Sequence, residues 1–241
     1  MVRASVGRLA SLGIGAEVYF DNTAVMDTDR DAAKEAGRVL ADHGIPCTCH
    51  APFMDLSPGG VDREVRLLTV EKLKRAVERA CLMGARSMVA HGGYDKWRFG
   101  GHEQRWLEGS IETWTELLKE AGDMPLMVEN IFEETPATLT ALFDCFREKN
   151  LWCCFDTGHF NLFTTIPLEG WLMPLRTKLK ELHLHDNHGK SDEHLAIGRG
   201  TFPFRELKPF LKMLDGVFFT AETPDESSAP EVINNMKEFL S

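Results

Sequence analysis

The amino-acid sequence predicts a single α/β domain over residues 1–241, a (β/α)8 TIM barrel in which the first strand is short or abbreviated. Its 241 residues are close to the roughly 250 that such a barrel needs. Apolar runs of strand length alternate with helical patterns, without a proline-rich linker or a change in composition. An open doubly wound sheet is the alternative, but no glycine-rich phosphate-binding motif follows an early strand.

Seven segments have the length and continuous apolar character of parallel strands that are buried on both faces. They are residues 15–20, 46–52, 87–93, 126–130, 152–159, 181–187 and 217–224. The eighth strand can come only from "VRASV" at the start of the chain, before a short helix in "GRLASLG". This is why an abbreviated first strand is expected.

Helical spacing of apolar residues marks the segments between the strands. The segment "REVRLLTVEKLKRAVERACLMG" predicts a helix closed by Gly84, and "RWLEGSIETWTELLKEAG" predicts one closed by Gly122. A third helix is predicted in "TPATLTALFDCFREKN", with Thr135 as N-cap and Pro136 in the first turn. The alternation of strand and helix favours one parallel α/β unit.

The composition restricts the partners and the compartment. A formal net charge of -10 argues against DNA as a partner, because surfaces that bind a phosphate backbone draw their affinity from lysine and arginine. No apolar run approaches the roughly 18 residues of a membrane span, and the N-terminus shows no export signal. The six cysteines lie mostly in strand-like segments, which favours core packing over a metal pair in "CTC" and predicts a reducing cytoplasm.

Six consecutive predicted strands end in a side chain that can bind a metal ion or move a proton. These side chains are His50, His91, Glu129, Asp156 with His159, His183 with His185, and Glu222. The carboxyl ends of barrel strands meet on one face, so the side chains are expected to converge. Buried carboxylates and imidazoles without a cation would leave like charges unpaired. Bound zinc, manganese or iron is the simplest remedy, with more than one ion expected per chain.

The loop after the predicted strand at residues 181–187 adds two further residues of types that bind metal ions. Asp192 and His194 are two residues apart, a spacing that lets both reach one ion. The glycines of "IGRG" then let the backbone turn closely over the site. We expect His183 on the metal and His185 outside the ligand set, and we expect His50 and His91 to lie close together. A structural role is expected for the isolated histidines His43, His102 and His188.

The motifs "HAPF", "HGG", "VEN", "FDTGH", "HLHDN", "DEHLAIGRG" and "AETP" carry a family resemblance that runs from about Gly15 to the end. Together they resemble the superfamily that joins xylose isomerase-like sugar isomerases and epimerases to the AP endonuclease family 2 enzymes, such as the endonuclease IV group. The resemblance implies four shared metal positions, at Glu129, Asp156, His183 and Glu222. In the endonuclease branch five further ligands complete a three-metal cluster, and they match His50, His91, His159, Asp192 and His194.

The complete set of nine ligands favours a metal-dependent hydrolase of a small phosphodiester, with Glu129 and Glu222 as catalytic residues. A phosphodiesterase gains from neighbouring metals, whereas an isomerase needs one metal and a base. The alternative is a single-metal sugar or sugar-phosphate isomerase or epimerase, in which the same two glutamates act as acid and base. A barrel that binds its ligand without turnover is a third alternative, which the intact glutamates disfavour.

Substrate recognition is expected to fall to "YDKWRFGGHEQRW", which follows a metal-bearing strand end with aromatic faces and a cation for phosphate. The predicted substrate-binding residues are Tyr94, Trp97, Arg98, His102, Trp106, His185 and Arg199. Trp97 and Trp106 have an alternative role, in which they only cover the rim of the barrel.

The loop "HAPFMDLSPGGVD" is neither basic nor aromatic enough for a DNA-penetrating wedge, which argues against DNA repair. The segments "HAPFMDLSPG", "HGGYDKWRFGG" and "ENIFEETP" also resemble a set of small barrel proteins that includes a cobamide-remodelling phosphodiesterase. That resemblance implies the nucleotide loop of a corrinoid as the substrate.

Overall fold

The structure is a computed structural model that describes residues 2–23 and 28–241, with the side chains described from residue 4 onward. Its strands are β1 (Ala16–Tyr19), β2 (Cys47–His50), β3 (Met88–His91), β4 (Leu126–Glu129), β5 (Leu151–Asp156), β6 (Leu179–Leu184) and β7 (Phe218–Ala221). Its helices are α1 (Val2–Leu12), α2 (Arg30–Asp42), α3 (Arg63–Met83), α4 (Lys96–Phe99), α5 (Glu103–Ala121), α6 (Ala137–Cys145), α7 (Thr157–Phe163), α8 (Leu168–Leu175), α9 (Phe204–Leu211) and α10 (Ala229–Leu240). Each of the seven predicted strand segments overlaps one of these strands, although β5 and β6 begin one and two residues before the predicted segments.

The chain divides into two compact groups of residues. The first group consists of Met1–Gly93, Gly101–Val128 and Cys145–Leu151. In it β1 pairs in parallel with β2, which places Tyr19 opposite His50, and β2 pairs in parallel with β3. The long helices α3 and α5 each contribute a buried apolar face, for example Leu73 and Trp114.

The second group consists of Tyr94–Gly100, Glu129–Asp144 and Trp152–Ser241. Here β5 pairs in parallel with β6, and the register places Asp156 opposite His183. The next pair, β6 with β7, is also parallel. An aromatic cluster supports these strands, with the Phe155 ring 5.6 Å from Phe160 and 6.0 Å from Trp171 between centroids. The prediction of one domain over residues 1–241 stays a prediction.

The helix ends confirm two of the three predicted helix boundaries. Gly84 adopts the left-handed conformation after α3 at φ 70°, and its N–H donates to the Ala80 carbonyl. Gly122 likewise follows α5 at a positive φ of 58°. The third expectation is wrong in detail, because α6 begins only at Ala137. The Pro136 carbonyl accepts from the Thr140 N–H, so Thr135 lies one residue too early to be the cap.

The expectation of a strand in "VRASV" is wrong, because these residues form the start of α1. Arginine, alanine and leucine, which are good helix formers, make up six of the eleven residues of α1, and Val6 lies in the buried core. The helix ends where Gly13 takes a positive φ of 64° and donates to the Ala10 carbonyl. The short helix predicted in "GRLASLG" therefore extends back to Val2 and replaces the abbreviated first strand.

Four of the six cysteines are buried core residues, at Cys47, Cys49, Cys153 and Cys154. Their positions in β2 and β5 agree with the predicted packing role. None of the helices that the structure describes is long and apolar enough to cross a membrane.

The contact between Gly37 and the end of α3 gives a test of the packing. A Cβ at position 37 would lie 2.2 Å from the Met83 carbonyl oxygen. Gly37→Ala should therefore lower the free energy of unfolding by about 1 to 3 kcal/mol through overpacking. In Gly7→Ala, the control on α1, the new Cβ meets nothing within 4 Å, so stability should be unchanged or slightly raised. Urea denaturation measures both, and equal stabilities would contradict the close approach.

Candidate metal centre

The amide of Asn130 joins the ends of β4 and β5. Its Nδ2 donates to the Asp156 carbonyl at 3.0 Å, and its Oδ1 accepts from the Asp156 N–H at 2.8 Å. Both residues are buried, so these bonds satisfy backbone groups that water cannot reach. The clamp holds Glu129, the last residue of β4, at the level where Asp156 ends β5.

Asp156 ends β5 because its carboxylate caps the helix that follows. Its Oδ1 accepts from the backbone N–H of His159 at 2.6 Å, so α7 starts at the next residue. The predicted strand over 152–159 is correspondingly shorter. This first turn brings His159 Nδ1 to 3.0 Å from Glu129 Oε1 and 3.2 Å from Asp156 Oδ1.

His183 stands on β6 and is fully buried. Its Nδ1 lies 2.9 Å from Glu222 Oε1 and 3.7 Å from Glu129 Oε2. Glu222 directly follows β7. The four positions that the resemblance assigns to a shared metal core therefore lie together in the second group.

The loop after β6 is organised by the buried carboxylate of Asp186. It accepts four backbone hydrogen bonds, which come from the N–H groups of Asn187, Gly198, Gly200 and Phe202. A Cβ at Gly200 would lie 2.2 Å from the Asn187 carbonyl oxygen, so this close turn requires glycine. The expected role of "IGRG" in letting the backbone turn closely is explained by these contacts.

This loop brings Asp192 and His194 close to Glu222 and His159. His194 Nε2 lies 2.9 Å from Glu222 Oε2 and 3.5 Å from Asp192 Oδ2. Asp192 Oδ2 is also 3.6 Å from His159 Nε2. His194 has a φ of 50°, a left-handed conformation that is uncommon outside glycine and that often occurs at functional sites.

The donor set fits divalent cations. Two subsets bring one ligand atom from each member within 4.8 Å of one another: Glu129 with Asp156 and His159, and His185 with His194 and Glu222. Two donors on one ion, each about 2.1 Å from it, stand about 2.9 to 3.4 Å apart, as many of these atoms do. The cluster holds four carboxylates, whose charge two divalent ions would balance while the imidazoles stay neutral. We name the second-group residues Glu129, Asp156, His159, His183, His185, Asp192, His194 and Glu222 the cluster.

Without a metal ion, proton binding by imidazoles would offset part of the negative charge of the carboxylates in the cluster. Burial lowers the pKa of His159 and of His185, but nearby carboxylates, Asp156 foremost among the charges, more than offset this and raise both. Burial would raise the pKa of Glu222, yet His183 and His194 hold it well below its ordinary value.

The predicted approach of His50 and His91 is confirmed within the first group. Their ring centroids are 5.2 Å apart at an interplanar angle of 86°, and Phe53 stacks on His91 at 4.3 Å. His50 Nδ1 lies 2.8 Å from the Ala51 carbonyl oxygen. If that nitrogen carries the proton, Nε2 has the lone pair that a metal requires.

The predicted substrate-binding residues differ in their exposure. Trp97 is 71% exposed, and Arg98 is exposed with its Nε 3.1 Å from Asp95 Oδ2. Tyr94 is buried and stacks on Phe99 at 6.1 Å. Arg199 pairs with Glu231 at 2.6 Å.

The first-group members of that set, Trp106 and His102, differ from each other. Trp106 is completely buried and donates from Nε1 to the Gly92 carbonyl at 3.2 Å, which favours the structural alternative. His102 is exposed at the start of α5, without a capping hydrogen bond from its side chain. The structural roles expected for His43 and His188 agree with their contacts to Val39 O and Glu193.

The sequence interpretation missed Phe132, an aromatic partner of Trp97, and Phe163, which packs against Phe132 in turn. Phe132 lies edge-on to Trp97 at 6.4 Å and to Phe163 at 5.0 Å between centroids. Phe132 is itself 39% exposed. Together Trp97, Phe132 and Phe163 form what we call the aromatic rim. The position of Phe132, soon after "VEN", was the only available signal.

A cavity of about 450 Å³ adjoins His194. Its lining includes His188, Arg199, Glu231 and Val232. The cavity therefore touches one member of the cluster and one predicted substrate residue, and its walls are partly charged.

Residues 6–241 match the family described as the xylose isomerase-like TIM barrel. The chain belongs to this family. The match confirms both the predicted fold class and the resemblance that the metal-ligand motifs carry.

Two curated relatives illustrate the range of the family. An uncharacterized protein of Methanocaldococcus jannaschii is 32% identical over 203 residues, which cover 79% of this chain and 69% of the relative. A protein of Symbiobacterium thermophilum named probable endonuclease 4 is 26% identical over 230 residues, with coverages of 85% and 82%.

Two solved structures are similar over nearly the whole chain. A D-tagatose 3-epimerase-like protein has a TM-score of 0.80 at 26% identity and covers 93% of this chain and 87% of its own. A protein from Thermus thermophilus that was soaked with ZnCl2 has a TM-score of 0.79 at 27% identity, with coverages of 98% and 94%. Relatives of this chain are thus named for both endonuclease and epimerase activities.

Glu133 is a buried acid near the cluster that the sequence interpretation did not single out. It is 3% exposed and accepts from the Ile131 N–H at 2.7 Å. Burial raises the pKa of Glu133 to about 7, although that N–H and the charge of His159 lower it. Between pH 4.5, the ordinary pKa of a glutamate, and about pH 7, Glu133 therefore keeps its proton in the folded protein and loses it in the unfolded chain.

The stability of the metal-free protein should accordingly fall as the pH rises from about 4.5 to about 7. Glu133→Gln removes this titration. The free energy of unfolding of the variant, relative to that of the wild type, should therefore rise by on the order of 2 to 3 kcal/mol between pH 4.5 and pH 7. Urea denaturation in EDTA at several pH values measures the difference. Glu134→Gln, at the neighbouring and less buried position, is the control. A pH-independent difference for Glu133→Gln would contradict the burial argument.

Proposed function

We propose that this protein hydrolyses a small phosphodiester with more than one bound divalent ion, zinc or manganese being the best fit and iron the alternative. The observation that carries the proposal is the position of Asp192 and His194. They join the buried core residues through contacts of 2.9 Å from His194 to Glu222 and 3.6 Å from Asp192 to His159. An isomerase needs one ion and has no evident use for these additional donors.

The two glutamates support hydrolysis for a second reason. Glu222 directs Oε1 toward His183 and Oε2 toward His194, while Glu129 directs its two oxygens toward His159 and His183. Each carboxylate thus faces two different imidazoles, so either glutamate would be able to serve as a ligand in a site that holds more than one ion.

The chain's own groups can bind and orient the diester. Divalent ions, when bound, supply positive charge that polarises the phosphoester and lowers the pKa of water. Arg98 and Arg199 are predicted to pair with phosphate oxygens, and Arg199 would first leave its exposed partner Glu231. The aromatic rim offers ring faces for a planar part of the substrate.

A small substrate suits the chain better than DNA. The net charge of -10 gives no general attraction for a phosphate backbone. A cobamide nucleotide loop, which contains both a phosphodiester and a planar base, is the specific substrate that the sequence motifs suggest. The buried cysteines support the proposed reducing, cytoplasmic location.

The alternative function is a sugar or sugar-phosphate isomerase or epimerase. The similarity to the D-tagatose 3-epimerase-like structure, at 26% identity, favours this second candidate. In it, one ion would occupy the core of Glu129, Asp156, His183 and Glu222, and Asp192 and His194 would only shape the loop.

Replacement of Asp192 separates these roles. Asp192→Asn keeps the size of the side chain but removes the charge that faces His159 and His194. Diester cleavage should fall by at least a hundredfold while the thermal transition stays near that of the wild type. Glu193→Gln is the matched control, because Glu193 pairs with His188 outside the cluster. Unchanged turnover in Asp192→Asn would reduce the loop to a lid.

A solvent-isotope experiment separates the two reactions directly. The enzyme loaded with zinc or manganese is incubated in deuterium oxide with ketoses and their phosphates, and separately with bis-nitrophenyl phosphate. Isomerisation through an enediolate would admit deuterium at carbon, whereas hydrolysis releases nitrophenol. We expect nitrophenol and no carbon-bound deuterium. The reverse result would replace the hydrolase with the isomerase.

A further inference from the structure

His185 lies in the middle of the cluster although it is not one of the nine ligands that the family resemblance implies. It directly follows β6 and is completely buried. Its Nε2 lies 2.9 Å from Asp156 Oδ2 and 3.5 Å from Glu222 Oε2. Glu222 Oε2 is the same atom that His194 Nε2 approaches at 2.9 Å. Two imidazoles therefore face one carboxylate oxygen.

The chain makes room for this ring by having glycine at position 158. A Cβ on Gly158 would lie 1.9 Å from His185 Cε1, much closer than two carbon atoms can approach without a bond. Gly158 stands in the first turn of α7 with no positive φ, so its backbone conformation does not call for glycine. A helical glycine costs about 1 kcal/mol relative to alanine, and here the space for the ring is what requires it.

The backbone around His185 is held as firmly as its ring. The Thr157 hydroxyl oxygen lies 2.7 Å from the His185 carbonyl oxygen and 3.1 Å from that of His183, as a shared donor. The same oxygen accepts from the His185 N–H at 3.1 Å. Thr157 and Gly158 thus fix both ends of the residue, which is the preorganisation that a metal ligand needs.

We propose that His185 is a tenth metal ligand, which shares one divalent ion with His194 and Glu222. Two imidazoles and one glutamate form a donor set that zinc enzymes use. The Nε2 of His185 faces the carboxylates, and its buried Nδ1 has no hydrogen-bond partner among the described residues. Asp192 Oδ1 lies 3.8 Å from that Nδ1, and a small shift would let it accept the proton of a neutral, metal-bound ring.

This inference rests on the metal cluster of the proposed function, and it is independent of which bond the enzyme cleaves. It departs from the expectation that only His183 of the pair in "HLHDN" binds metal. A histidine that only hydrogen-bonded to Asp156 would weaken metal binding when removed, but it would leave the number of bound ions unchanged.

The test is metal binding measured without turnover. Wild-type protein, His185→Asn and Gly158→Ala are stripped with chelator, reloaded with zinc, dialysed and analysed for zinc per chain, with affinity measured by competition against a chromophoric chelator. His188→Asn is the control, because His188 is exposed and pairs with Glu193 in the same loop. Circular dichroism checks that each variant is folded.

We expect His185→Asn to lose one zinc equivalent per chain, and His188→Asn to match the wild type. Gly158→Ala should weaken the same ion, because its methyl group displaces the ring while all ligands remain. It keeps the test decisive if His185→Asn does not fold. Unchanged zinc content in His185→Asn would overturn the proposal whatever the affinity, as would a wild type that binds no zinc. A wild type that binds zinc through His185 but cleaves no diester would refute only the proposed function.

Discussion

The concentration of buried charge at the strand ends is the constraint on which the rest of the second group depends. Glu129, Asp156 and His183 are buried almost completely, and Glu222 closes on them from the end of β7. Burying carboxylates side by side is costly unless each finds a counter-charge and hydrogen bonds. Imidazoles on every side meet part of this demand, and divalent ions would meet the remainder.

Much of the surrounding polar structure serves to hold this arrangement in place. Asn130 ties β4 to β5, Thr157 ties α7 to the end of β6, and Asp186 gathers the loop that carries Asp192 and His194. None of these three needs to touch a metal or a substrate. Each satisfies buried backbone groups, so the ligands are positioned by hydrogen bonds that form with the fold itself.

The sequence was a good guide to what depends on hydrophobic patterning and a weaker guide to what depends on the direction of a side chain. Apolar runs located the strands, and residue type at their ends located the candidate ligands. The pattern could not show that Asp156 would end β5 by capping α7, or that Val2–Leu12 would be helical in place of a strand. Nor could it show that Trp106 points into the core while Trp97 points outward, since both are aromatic residues of one segment.

His185 and Gly158 illustrate the same limit within the cluster. Alternation along a strand predicts that His183 and His185 share a face, and sequence alone then leaves only one of them nearest the metal. The missing information was the contact between the His185 ring and Gly158, which lies 27 residues earlier in the chain and leaves space for that ring. Contacts of this kind are visible only once the strands are placed beside one another.

The burial of the cluster is uneven, and this has a consequence for the kinetics of metal exchange. The side chains of His183 and Glu129 are 0% and 1% exposed, whereas those of Asp192 and His194 are 35% and 30% exposed. Ions would enter and leave through the outer pair, while an ion on the inner residues would have to wait for that route to clear. The protein would therefore fill from the inside outward and empty in the opposite order, so that its partly loaded form is one defined species and not a random mixture.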